Sequence, residues 1–129
     1  MRVLLIDDSE IDNYINKAII SKSTRITDVV VKPSGVKALD YLKEIEENPD
    51  EFPDIIFLDI RMPEMDGYEF IENYKELPQE NKDKCRIFML SSSINPKDLE
   101  RSESYREIEK HLSKPLAHHN IEELLKNRE

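Results

Sequence analysis

Cysteine is almost missing from this chain: Cys85 is the only one in 129 residues, so no internal disulfide framework exists and a reducing compartment is expected. Glycine is nearly as scarce. Only Gly35 and Gly67 occur, which excludes a glycine-rich loop that could cradle phosphates. No apolar run approaches the ~18 residues that span a bilayer, and no charged-then-apolar leader opens the chain. A cytoplasmic protein without a membrane partner is therefore expected. Basic residues are outnumbered, 19 Lys+Arg against 28 Asp+Glu, for a formal charge of −9. With no basic stripe, direct nucleic-acid binding is not expected. Internal repeats and low-complexity tracts are also lacking.

What is present suits one domain. The chain is 38% hydrophobic and 36% charged, too apolar for disorder. At this length folding buries about 65–70% of the extended chain's surface, enough for a core without staples. Residues 1–129 are expected to form that single domain, with no effector attached.

Short β-branched runs alternate with helical patterns. The runs are Val3–Ile6, Val29–Val31, Ile55–Leu58 and Ile87–Leu90, nearly all apolar, as strands covered on both faces of a parallel sheet are. A fifth strand is placed at Lys110–Ser113, before Pro115. Ile11, Tyr14, Ile15, Ala18 and Ile19 recur at helical spacing and predict a first helix with one apolar, mainly core-facing side. Asp8 or Ser9 could cap it. Val36, Leu39 and Leu42 mark a second helix, and Phe70, Ile71 and Tyr74 a third. Asn95-Pro96 opens a fourth as cap and first residue, and Ile121, Leu124 and Leu125 mark a fifth, with His118 and His119 at its cap. Residues 46–53 and 77–84 read as polar, proline-bearing loops. Strand and helix alternating five times predict a doubly wound α/β sandwich with five helices on the two faces of a parallel sheet.

In such sheets ligands sit beyond the carboxyl ends of the strands. The residues just past the runs are Asp7-Asp8, Asp59, Ser91 and Lys114. Far apart in sequence, they converge on one rim if the fold is right. Crowded carboxylates hold a hard divalent cation such as Mg²⁺. That cation neutralises an incoming phosphoryl group, so that Asp59 can attack it and form an acyl phosphate. A lysine ammonium and a serine hydroxyl would take the remaining phosphoryl oxygens.

The strings LLIDD (Leu4–Asp8), FLDIRMPEMDG (Phe57–Gly67), MLSSS (Met89–Ser93) and LSKPL (Leu112–Leu116) resemble the receiver domains of two-component response regulators. The resemblance covers essentially the whole chain and implies a CheY-like, flavodoxin-like sheet of order 2-1-3-4-5 in a three-layer sandwich. It implies Asp59 as phosphoacceptor, Asp8 as direct Mg²⁺ ligand, Asp7 as a water-mediated one and the Arg61 backbone carbonyl completing the metal shell. It also implies Ser91 as switch hydroxyl and Lys114 as the pattern's lysine. His111 stands at the aromatic switch position, where Tyr or Phe is usual. Arg61 and Ser93 stand where side chains tune dephosphorylation. Implied partners are a histidine kinase or histidine phosphotransfer protein, docking near Ile11, Tyr14 and Ile15, and a downstream protein target. The chain itself is expected to be a monomer or weak dimer and a phosphoacceptor rather than an enzyme.

Two other classes compete. Aspartyl-phosphate phosphohydrolases of the haloacid-dehalogenase type carry D-x-D after the first strand; here Asp59-Ile60-Arg61 follows the third and lacks the second acid. A non-phosphorylated adaptor on the same fold has no need of mutually repelling carboxylates.

Overall fold

The computed structural model describes residues 1–92 and 95–126. Its strands are β1 (Arg2–Ile6), β2 (Asp28–Lys32), β3 (Ile55–Asp59), β4 (Arg86–Ser91) and β5 (Ile108–Ser113). They form one all-parallel sheet in the order β2-β1-β3-β4-β5, a flavodoxin-like fold. Alternate residues feed two cores. Leu4, Ile6, Ile56, Leu58, Ile87 and Met89 point to one face, Val3, Leu5, Ile55, Phe57, Phe88 and Leu90 to the other. All are essentially water-free, which is why these runs lack a polar face.

Helices α1 (Glu10–Ile20) and α6 (His118–Lys126) cover the second face through Ile20, Ile121, Leu124 and Leu125. Helices α2 (Gly35–Ile45) and α3 (Gly67–Tyr74) cover the first through Ala38, Leu39, Leu42, Phe70, Ile71 and Tyr74. Helix α5 (Pro96–Glu103) lies against β5. Its start is the expected one, Asn95 accepting from the Asp98 N–H and proline in the first turn.

Three local expectations need correction. The described residues contain six helices, not five, because α4 (Gln79–Lys84) occupies the segment read as a loop. It has no apolar period to betray it. A Gln79–Asp83 hydrogen bond one turn apart and buried Asn81, donating to the Glu46 carbonyl at 2.8 Å, support it instead. Strand β5 starts two residues earlier than expected. It carries an irregularity: Ile87 pairs with Ile108 but Phe88 pairs with Lys110, so Glu109 is an inserted residue.

The third correction is the orientation of α1. Ser9, not Asp8, caps it by accepting from the Asp12 N–H. The residues it buries are Asn13, Asn16 and Ile20, while Ile11, Tyr14 and Ile15 are 72%, 79% and 40% exposed. The polar side chains are used inward. Asn13 Nδ2 donates to the Asp7 carbonyl at 2.8 Å, and Asn16 Oδ1 accepts from the Leu116 N–H at 3.0 Å. These bonds tie α1 to the strand ends of β1 and β5, which a wholly apolar face could not do. Val36 likewise is more than a third exposed, whereas Leu39 and Leu42 are core.

Candidate functional site

Parallel pairing puts the carboxyl ends of β1, β3, β4 and β5 on one rim. Asp7 and Asp8 follow β1, Asp59 closes β3, Ser91 closes β4, and Lys114 follows β5. Asp7, Asp59 and Ser91 are buried and Asp8 is exposed. One carboxylate oxygen from each of Asp7, Asp8 and Asp59 lies within 4.8 Å of the others. The four strand ends therefore meet as the sequence predicted.

The acidic cluster carries surplus charge. Lys114 is its cation: Nζ donates to Asp12 Oδ2 at 2.8 Å and to Asp7 Oδ2 at 2.9 Å, and stands 3.3 Å from Asp59 Oδ1. Burial, then repulsion from Asp7, push the Asp59 carboxyl up to about 6, with Lys114 pulling the other way. Burial opposes the charge of Lys114, but its hydrogen bonds to Asp12 and Asp7 and the charge of Asp59 outweigh it and hold that ammonium above the ordinary lysine value. Asp12 thus makes a fourth carboxylate at this rim, and the one ammonium reaches three of the four. A donor set of three clustered carboxylate oxygens with unbalanced negative charge suits a hard divalent cation.

The segment after Asp59 is built to bring α3 close to that residue. Met65 N–H closes on the Pro63 carbonyl at 2.7 Å, with Glu64 at φ 68° in the left-handed region. Asp66 then caps α3 in a reciprocal box with Glu69. Gly67 is required here by contact rather than by turn geometry. A Cβ on it would meet the Asp59 carbonyl oxygen at 2.8 Å and Ile60 Cα at 3.1 Å. Arg61 sends its guanidinium away from the carboxylates to Asp98 of α5, 2.9 Å away.

On the far side of the rim, Ser91 enters a neutral hydrogen-bonded chain. Its Oγ lies 2.9 Å from His111 Nε2, His111 Nδ1 lies 3.3 Å from Ser102 Oγ, and Ser102 Oγ lies 3.1 Å from the Tyr68 hydroxyl. Tyr68 also donates to the Asp98 carbonyl of α5 at 3.1 Å. His111 is thus buried, not a surface residue at the strand edge. Burial lowers its pKa, against a smaller upward pull from Asp98, and favours the neutral ring. Either tautomer finds a hydroxyl at each nitrogen.

Asp12, Ser102 and Tyr68 escaped the sequence reading. Asp12 lies five residues after Asp7 and looked like an ordinary acidic first-turn residue. Ser102 and Tyr68 carry no local signal, since their partners lie on other elements. Ser93 falls outside the described residues.

Comparison with known proteins agrees with this geometry. The response regulator receiver domain family matches residues 3–126. A two-component response regulator from Cytophaga hutchinsonii superposes with a TM-score of 0.90 at 34% identity, over 98% of this chain and 95% of that one. A response regulator receiver protein from Dyadobacter fermentans gives 0.87 at 33% identity, over 99% and 97%. Among curated proteins, the rice two-component response regulator ORR1 (subspecies indica) is 30% identical over 127 residues, 97% of this chain and 54% of that protein. A protein-glutamate methylesterase/protein-glutamine glutaminase from Trichodesmium erythraeum is 41% identical over 81 residues, 60% of this chain and 21% of that protein. The chain thus spans about half of the first and about a fifth of the second. By fold, by motif and by full-length match, it belongs to the response regulator receiver domain family, the phosphoacceptor module of two-component signalling.

Proposed function

We propose that this chain, acting as a single receiver domain over residues 1–129 in the cytoplasm, accepts a phosphoryl group on Asp59 in a Mg²⁺-dependent reaction. The donor is a phosphohistidine of a histidine kinase or histidine phosphotransfer protein. An Asp59 oxygen forms the new O–P bond as the N–P bond to the imidazole breaks, and the departing imidazole takes a proton. The observation that carries this reading is the Asp59 carboxylate, buried beside Asp7 and Asp8 with Lys114 at 3.3 Å.

Asp8, Asp59 and the Arg61 carbonyl would hold Mg²⁺ directly and Asp7 through water. Once bound, the ion supplies charge neutralisation for the approaching phosphoryl group. Lys114 then pairs with one phosphoryl oxygen and Ser91 donates to another. Where its hydroxyl is directed at His111 Nε2, Ser91 does so by turning from that nitrogen. That exchange links the acceptor to α5 through His111, Ser102 and Tyr68, and shifts the population between two arrangements of the α5–β5 face. A downstream protein reads that face. The chain is a switch that turns over its own phosphate rather than an enzyme acting on others. Exposed Ile11, Tyr14 and Ile15 beside the rim support α1 as the dock for the donor protein.

Acetyl phosphate with Mg²⁺ tests the acceptor: the intact protein should gain one phosphoryl mass, and Asp59→Asn should not. Labelling that survives this substitution would move the acceptor elsewhere. Labelling that persists in excess chelator would remove the metal from the scheme.

A further inference from the structure

Lys114 Nζ has three N–H bonds and three carboxylates around it. The two short contacts go to Asp12 and Asp7, and the longest to Asp59. These carboxylates differ in access. The Asp7 and Asp59 side chains are 0% and 7% exposed, whereas Asp12, on the first turn of α1, is 37% exposed. Asp12, Ile15, Ser92, Lys114 and Pro115 line one small cleft of about 150 Å³ beside the rim. We propose that Asp12 is a positioning residue that draws the Lys114 ammonium toward α1 and thereby slows phosphoryl acceptance by Asp59. This inference rests on Asp59 being the acceptor.

A phosphoryl oxygen bound by Lys114 must take an N–H already directed at a carboxylate. Asp12 is the competitor it must displace, since Asp7 is fixed by its own bond from the Ser9 N–H at 2.9 Å. Asp12 also adds a fourth negative charge facing an anionic donor. Neutralising it releases the ammonium toward Asp59 and removes that repulsion, so both effects act in one direction. Asp12 is, moreover, the carboxylate of the three that a protein docked on α1 can reach.

The test uses the full chain, with acetyl phosphate and Mg²⁺, and follows intact mass against time. Asp12→Asn should raise the labelling rate constant about three- to fivefold, the range of a partly exposed ion pair. Asp12→Glu, which restores the charge, should return the rate toward that of the parent. In a Lys114→Ala background the Asp12→Asn gain should shrink to what the relieved repulsion alone supplies, because no ammonium is left to release. Beryllofluoride affinity provides the same comparison at equilibrium and serves where Lys114→Ala labels too slowly to follow. An Asp12→Asn rate at or below the parent's overturns the inference, as does a gain that persists undiminished without Lys114. A parent chain that fails to label, or labels equally as Asp59→Asn, overturns the acceptor assignment and this inference with it. Normal labelling with no response to Asp12→Asn overturns the inference alone.

Discussion

The two halves of the rim solve opposite problems. Around Asp59 charges are crowded and unbalanced, with four carboxylates to one ammonium. From Ser91 to Tyr68 the hydrogen bonds run between hydroxyls and an imidazole, and the nearest charge is the Arg101 guanidinium, 4.0 Å over the Tyr68 ring at the far end. The first half stores unfavourable electrostatics that a bound cation and its chemistry can relieve. The second stores nothing, but it spans the distance from β4, which pairs with the strand of Asp59, to α5. Under the proposed function, the difference teaches that driving force and readout are kept in separate materials: charge for one, hydrogen bonds for the other.

The contrast is broken most strongly at Asp59. Its carboxyl is raised from 3.8 to about 6, so the fold binds that proton more tightly than the unfolded chain does. The stability this gives is fully present below the unfolded value and is lost as pH rises through about 6. Asp59→Asn should therefore stabilise the metal-free protein at pH 7 by about 1–3 kcal/mol, read by denaturant unfolding. It should also flatten the pH dependence between 4 and 6. A variant less stable than the parent at pH 7 would mean that the acidic half is not strained.

Ser102→Ala should have a smaller effect of the opposite sign. It removes a partner from His111 Nδ1 and from the Tyr68 hydroxyl, at a cost of about 1 kcal/mol. Labelling of Asp59 should continue at the parent rate, because Ser102 touches none of the charged groups. A large loss of labelling would show that the halves are not separable.

The smallest effect sharpens the comparison through pH. The His111 pKa is held below 6.5, so its contribution to stability is present above that value and lost as pH falls through the folded value. This slope is opposite to that of Asp59. His111→Phe should make the parent's melting midpoint fall more steeply from pH 5 to 7, since only the Asp59 slope remains. An unchanged profile would place a charged ring in the folded protein.

Much of this was legible from residue order. The apolar runs at 3–6, 29–31, 55–58 and 87–90 each lie within a strand, and the residues that follow them meet at one rim because parallel strands all end there. What stayed hidden depends on orientation and distance. Helix α1 has a good apolar period, yet its asparagines face inward, since periodicity shows which residues share a side and not which side is buried. Helix α4, QENKDK, is polar throughout, so no pattern separates it from a loop. Gly67 looked like a turn residue. Its real constraint, the Asp59 carbonyl, sits on another strand. The pairing of Lys114 with Asp12 spans 102 positions and leaves no local trace.

The inserted Glu109 decides which layer of the molecule His111 faces. In an unbroken strand, residues an odd number apart lie on opposite sides, yet Ile108 and His111, three apart, both sit beside partners of the α2–α3–α5 layer. The bulge at Glu109 takes up the odd step, and its carboxylate is clamped by Arg86, which also donates to the Leu124 carbonyl. One extra link at the start of an edge strand thus sets the parity of everything after it. Were residue 109 held in the regular pleat with Ile108 still in place, the imidazole would face the α1–α6 layer, out of reach of Ser102 on α5.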